Sequence, residues 1–112
     1  MDCIFCKIAN GEIPSTKVYE DDKILAFKDL APQAPVHILV IPKEHIKWAY
    51  DVTEENSAVI AHIFAKIPEI AKSQGLEEGF RIVNNCGESA GQTVHHIHFH
   101  LMGGRAFTWP AG

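Results

Sequence analysis

The chain has no apolar stretch near the ~20 residues a membrane-spanning helix needs. It also lacks a basic run. Its ten lysines and arginines are scattered and outnumbered by fourteen aspartates and glutamates, for a formal charge of -4. That balance excludes a general nucleic-acid surface, which needs a basic patch, but leaves room for one small nucleotide. Cysteine is scarce, with only Cys3, Cys6 and Cys86. An odd count argues against a disulfide framework. The opening Met1-Asp2-Cys3-Ile4-Phe5-Cys6 lacks the basic and long apolar regions of a secretion signal, so a cytoplasmic location is expected. Repeats, low-complexity tracts and linkers are missing too. The 112 residues are expected to form one domain, 1–112, long enough to bury its own core.

What is present in excess is histidine, concentrated in His95-His96-Ile97-His98-Phe99-His100-Leu101-Met102. A β-strand turns alternate side chains to opposite faces. In extended form His96, His98 and His100 share one face, while Ile97, Phe99 and Leu101 share the other. The outer two imidazoles stand about 13 Å apart along such a strand. Three imidazoles in a row on an apolar strand suit proton transfer, metal ligation or nucleophilic attack near neutral pH. The run is internal and interleaved with apolar residues, unlike a purification tag. Cys3-x-x-Cys6 reads on its own as a metal half-site or a redox pair.

The remaining chain predicts an α+β fold with about five strands, a largely antiparallel sheet, one main helix and a short N-terminal helix. Residues 3–9 are expected to form one or two helical turns. Val18–Glu20 and Ile24–Lys28 read as a hairpin around Asp21-Asp22. Val36–Ile41 is β-branched and apolar on both faces, as in a central strand. Thr53 predicts an N-cap with Glu54 and Glu55 in the first turn, and apolar residues recur at helical spacing from Val59 to Ala71. Pro68 is expected to kink or split that helix, and Gly75 falls in its C-terminal cap region. Gly79–Asn84 reads as a further strand. Phe107 and Trp109 predict a tail packed on the domain or on a second subunit. His37 and His62 have no partner visible in the sequence and are read as structural.

The sequence resembles the histidine triad superfamily, in its nucleotide-binding (Hint) branch. The resemblance rests on the spacing of His96, His98 and His100 and on motifs in order along the chain: Glu12-Ile13-Pro14, Tyr19–Asp22, Ala26–Asp29, Pro32–Pro35, Ile41–His45, Gly91–Val94, and Gly103-Gly104-Arg105 to Trp109-Pro110. It implies a histidine-triad-like fold, a homodimer, and a purine nucleoside monophosphate held against the sheet. It further implies hydrolysis at the α-phosphate of a purine nucleoside phosphoramidate or acyl nucleotide through a nucleotidyl-histidine. By the same resemblance His98 is the nucleophile, His100 lies beside the phosphate and His96 orients the assembly or binds metal. Asn85, Gly91 and Thr93 face the phosphate, Asp29 grips the ribose, and Phe5, Phe27 and Leu30 form the base slot. Asn84 departs from the apolar residue usual there, and Cys86 reads as a passenger.

Zinc-bearing relatives imply a structural Zn2+ on Cys3, Cys6, His45 and His96, pinning the N-terminus to the sheet. The alternative is two free thiols, with His45 and His96 bonded to each other or to backbone. Competing functions are a nucleotide-binding regulatory or scaffold protein with little turnover, a dinucleoside polyphosphate hydrolase, and a purely structural zinc module.

Overall fold

The computed structural model describes residues 3–112. A single five-stranded sheet organises them. The strands are β1 (Lys17–Glu20), β2 (Ile24–Lys28), β3 (Val36–Pro42), β4 (Arg81–Val83) and β5 (Phe99–Gly103), in spatial order β1-β2-β3-β5-β4. Every pairing is antiparallel. The hairpin between β1 and β2 turns on Asp21, whose carboxylate accepts from the amides of Lys23 and Ile24 at 2.8 and 2.9 Å.

Alternation assigns the two faces of the sheet. Ile24, Ala26, Ile38, Val40, Phe99 and Leu101 point to one side. There they meet α2 (Ser57–Ser73), which buries Ile63, Ile67, Ile70 and Ala71. Leu25, Phe27, Leu39 and Ile41 point to the other side and meet α1 (Ile4–Ala9) through Phe5 and Ile8. The histidines stand on this second, thinly covered face.

Several expectations need correction at their edges. α2 begins at Ser57, later than a cap at Thr53 implies. Thr53 still acts as a bracket: its hydroxyl accepts from the Asn56 amide at 3.3 Å, and its own amide donates to Asn56 Oδ1 at 2.7 Å. α2 is not split at Pro68. The buried stripe of Ile63, Ile67, Ile70 and Ala71 crosses the proline, and packing offsets the one hydrogen bond that proline cannot make. Gly75 follows the C-cap with φ +78°, a left-handed conformation that glycine adopts without strain. β4 is three residues long, shorter than Gly79–Asn84. β5 starts only at Phe99, so His96 and His98 precede the ladder. Gly103 packs closely: a Cβ there would stand 2.5 Å from the Leu76 side chain, which would have to shift. Phe107 lies between the guanidinium groups of Arg81 and Arg105, at 4.9 and 4.2 Å, whereas Trp109 is 85% exposed.

Candidate active site and cysteine–histidine cluster

The sheet register brings distant residues to one cleft. Leu39 faces His100 across β3 and β5, and Phe27 pairs with Leu39 across β2 and β3. Asp29 lies just beyond β2, two residues after Phe27. A cleft of about 300 Å³ opens over these positions. Its apolar wall is Phe5, Ile8, Ile13, Phe27 and Leu39; its polar end carries Asp29, Thr93, His98 and His100. Two wider depressions, of about 670 and 500 Å³, lie away from His98 and His100, the second beside His62.

The segment before β5 is tied to the exit of β3. Ile97 donates its amide to Ile46 O at 2.6 Å, and His96 donates Nε2–H to Pro42 O at 2.8 Å. Gln92, almost fully buried, donates to Lys47 O and Val94 O and accepts from the Gly87 amide. These bonds hold His96 and His98 in strand-like alternation outside the ladder.

Carbonyl oxygens only accept, so they fix the ring tautomers. His98 Nδ1 lies 2.7 Å from His96 O and must carry the proton. Burial lowers the pKa of His98, which favours its neutral form. Its Nε2 is therefore a bare lone pair.

His100 has the opposite polarity, and the reason lies with His37. The Gln33 amide donates to His37 Nδ1 at 3.0 Å, so the proton of neutral His37 is on Nε2. Burial lowers the His37 pKa, against a smaller opposing pull from Asp29. His37 Nε2–H meets His100 Nδ1 at 2.8 Å, with Asp29 Oδ2 at 3.4 Å. His100 Nδ1 thus accepts, and its Nε2 carries the proton. Burial, then the neighbouring His98 and His37, push His100 down to about 4, so it too is neutral near pH 7. A lone pair on His98 and an N–H on His100 stand side by side, ring centroids 5.2 Å apart.

His37 was read as structural from sequence; the structure places it against His100 instead. A histidine inside an apolar strand was the available signal. His62, the other unassigned histidine, lies outside the cleft and donates to Asp21 Oδ2 at 2.7 Å. Burial alone would raise the Asp21 pKa. Hydrogen bonds from His62, Tyr19 and the backbone outweigh it and hold the carboxyl well below the usual range.

Cys3, Cys6, His45 and His96 converge behind the cleft, with their donor atoms all within 4.8 Å of one another. His96 Nε2 is committed to Pro42 O, so His96 Nδ1 is bare; burial pushes the ring down to about 4. Cys3 Sγ, Cys6 Sγ and His45 Nδ1 all crowd that one nitrogen, at 3.3, 3.5 and 3.2 Å. One lone pair cannot accept three hydrogen bonds. A tetrahedral zinc ion, with bonds of about 2.0–2.3 Å, takes a lone pair from each ligand and separates them by a similar spacing. The donor set and convergence fit such an ion. Burial, with help from Cys3, pushes the Cys6 thiol up to about 11. Coordination would reverse that preference by displacing the proton.

The other expected site residues fall at different distances from the cleft. Thr93 lines it. Leu30 also borders it but is 99% exposed, so it forms a rim and not a closed wall. Asn85 and Gly91 are neighbours of each other outside the cleft lining: a Cβ on Gly91 would stand 3.8 Å from Asn85 Nδ2. Asn84 donates to His98 O at 2.9 Å and so braces the histidine segment. Ser15 also lines the cleft, and its buried hydroxyl has no partner among the described residues.

The antiparallel sheet thus carries an apolar cleft that ends in two neutral histidines of opposite polarity. The family described as "Scavenger mRNA decapping enzyme C-term binding" matches residues 2–107. A HIT family hydrolase from Legionella pneumophila superposes with a TM-score of 0.96, at 52% identity over 99% of this chain and 100% of that one. A 14 kDa zinc-binding protein of Brassica juncea is 50% identical over 99% of this chain and 100% of its own length. Adenylylsulfatase HINT1 of Arabidopsis thaliana is 49% identical over 97% of this chain and 76% of its own. The chain belongs to the histidine triad (HIT) family and resembles its Hint branch. Members of that family carry names of hydrolases and of nucleotide-binding proteins.

Proposed function

We propose that the protein hydrolyses nucleotidyl compounds at the α-phosphate of a purine nucleoside monophosphate, with phosphoramidates as the substrate class. The observation that carries this reading is the pairing of a bare His98 Nε2 with a His100 N–H at the polar end of an apolar cleft. His98 Nε2 attacks the α-phosphorus and the bond to the leaving group breaks, leaving a nucleotidyl-histidine. The carbonyl of His96 keeps the attacking nitrogen unprotonated and stabilises the positive ring as the new bond forms. His100 Nε2–H donates to the oxygen on which charge develops. Water then attacks the same phosphorus, His98 leaves as the neutral ring, and the monophosphate is released.

Phe5, Ile8, Phe27 and Leu39 hold the base, with Leu30 at the rim. Asp29 accepts from ribose hydroxyls: its Oδ1 is engaged by the Ala31 amide at 2.8 Å, and its other oxygen lies near His37 with lone pairs to spare. Thr93 contacts the phosphate, and Gly91 and Asn85 shape the loop that brings it there. Cys3, Cys6, His45 and His96 would hold a zinc ion, which would supply a cross-link and take no part in the phosphorus chemistry. The zinc-binding relative supports that ion, and the relative named adenylylsulfatase supports an adenylyl group on a second type of leaving group, sulfate. We also assign a cytoplasmic homodimer. Open-edge strand β4, with Phe64 47% exposed beside Phe99, supports pairing with a second copy.

Intact-protein mass spectrometry during turnover of adenosine or guanosine 5′-phosphoramidate tests this. The expected result is a transient gain of one nucleoside monophosphate, absent from His98→Ala, whose turnover falls by about a thousandfold or more. Nucleotide binding without turnover or adduct would instead favour the regulatory binding protein.

A further inference from the structure

The cysteine–histidine cage and the cleft share parts. His96 contributes its ring to the cage, and its carbonyl accepts Nδ1–H of His98 at 2.7 Å. Phe5 sits between Cys3 and Cys6 in sequence. Its ring meets His98 edge-on at a centroid distance of 5.1 Å, Phe27 at 5.7 Å and His96 at 6.0 Å. Ile4 and Ile8, on either side of Phe5, line the same cleft. One face of the cleft is thus built on α1, a helix of six residues.

A helix that short does not hold its own shape in water. α1 is held by Phe5 and Ile8 packing on the sheet and by the two cysteines. Cys3 Sγ caps its first turn, accepting from the Cys6 amide at 3.3 Å. Cys6 Sγ reaches His45 Nδ1 at 3.3 Å, beyond the end of β3. An ion drawing Cys3, Cys6, His45 and His96 together would fix the position of α1 on the sheet. Fixing α1 fixes Phe5, which touches both the base slot and the His98 ring.

We propose that metal binding and nucleotide binding are thermodynamically linked through Phe5 and His96. An ion in the cage tightens the cleft around a nucleotide, and a nucleotide against Phe5 tightens the cage around the ion. The inference rests on the metal and nucleotide readings above. Linkage is reciprocal, so the two effects have the same magnitude. Phe5 and His96 act here as positioning residues.

The test uses the full chain with zinc and with AMP and GMP as probes. Nucleotide affinity is measured by calorimetry on zinc-loaded and chelator-stripped protein, with circular dichroism to follow folding. Zinc affinity is measured by competition with a chromophoric chelator, with and without nucleotide. The expected result is nucleotide affinity at least about fivefold higher in the loaded protein, within the usual range of coupling. The same factor appears in zinc affinity when nucleotide is present. Phe5→Leu brings the factor toward one whatever it does to either affinity alone, a change that a merely structural metal would not produce. Equal nucleotide affinities for folded stripped and loaded protein overturn the linkage. An unchanged factor in Phe5→Leu overturns the route. If the stripped protein unfolds, the zinc-affinity arm and its Phe5→Leu control decide alone. Absence of zinc binding removes the metal reading and this inference together. Absence of AMP and GMP binding removes the proposed function, and the linkage with it. Binding of both without coupling removes only the linkage.

Discussion

The cysteine–histidine cage and the Asp29–His37–His100 relay are both built from side chains that can ligate a metal. Cys3, Cys6, His45 and His96 form one group of candidate ligands; Asp29, His37 and His100 form another. They differ in what the backbone does to the rings. The Gln33 amide occupies the Nδ1 lone pair of His37, which places a proton on Nε2, the nitrogen facing Asp29 and His100. His37 then donates inward to His100 Nδ1 and offers no lone pair to an ion. In the cage, Pro42 O takes the proton-bearing side of His96, which aims a bare nitrogen at two sulfurs and a second ring, that of His45. Clustering of ligand-type residues therefore does not by itself make a metal site. The hydrogen bond on the far side of each imidazole decides it.

The largest effect should come from the cage. Cys6→Ser should abolish stoichiometric zinc binding, measured by elemental analysis, and lower the thermal midpoint; binding free energies of structural zinc are about 10 kcal/mol or more. His37→Phe should leave the zinc content at one per chain. If it halved a content of two, the contrast between the clusters would be wrong.

Next is the relay. His37→Phe removes the donor that sets the His100 tautomer, so kcat should fall by about a hundredfold with a smaller change in KM. His37→Gln, which retains an N–H, should restore part of the loss. An unchanged kcat would leave His37 a packing residue.

Much of this was legible in the sequence, because alternation survives even where the ladder stops. His96, His98 and His100 share a face although β5 begins at Phe99. The strand positions from Lys17 to Pro42 were also readable from β-branching and turn residues. What was not legible depends on register. His37 meets His100 only because β3 and β5 pair with Leu39 opposite His100, and the two histidines lie 63 residues apart. His62 and Asp21 are likewise joined only by the packing of α2 on the hairpin. Asn84 and Asn85 cannot be told apart in a short strand end. The structure engages Asn84 with the His98 carbonyl and leaves Asn85 beside Gly91.

Two smaller effects sharpen the picture. An ordinary histidine titrates near 6.5, and His100 is pushed down to about 4. The unfolded chain therefore takes up this proton first. Stability should hold above pH 6.5 and fall as the pH drops from there toward 4. His37, lowered by burial, adds to the same fall. Thermal midpoints across that window, compared with those of His100→Asn, check it; an equally steep fall in the variant would clear the relay of responsibility. The smallest effect belongs to Ser15. Ser15→Ala removes a buried hydroxyl that has no partner among the described residues and should raise stability by about 1 kcal/mol or less, measured by urea unfolding.

The order of the strands also bears on how the protein is made. β3 occupies the middle of the sheet, yet one of its two neighbours is β5, some sixty residues later in the chain. On the ribosome, the hairpin of β1 and β2 and its pairing with β3 can form early. The sheet cannot close until residues 99–103 have emerged and inserted between β3 and β4. His100 arrives with that last strand, just after His96 and His98. The nascent chain therefore carries the proposed base slot before the proposed catalytic groups, and a chain stalled before Phe99 would expose the centre of its sheet to whatever strand arrives first.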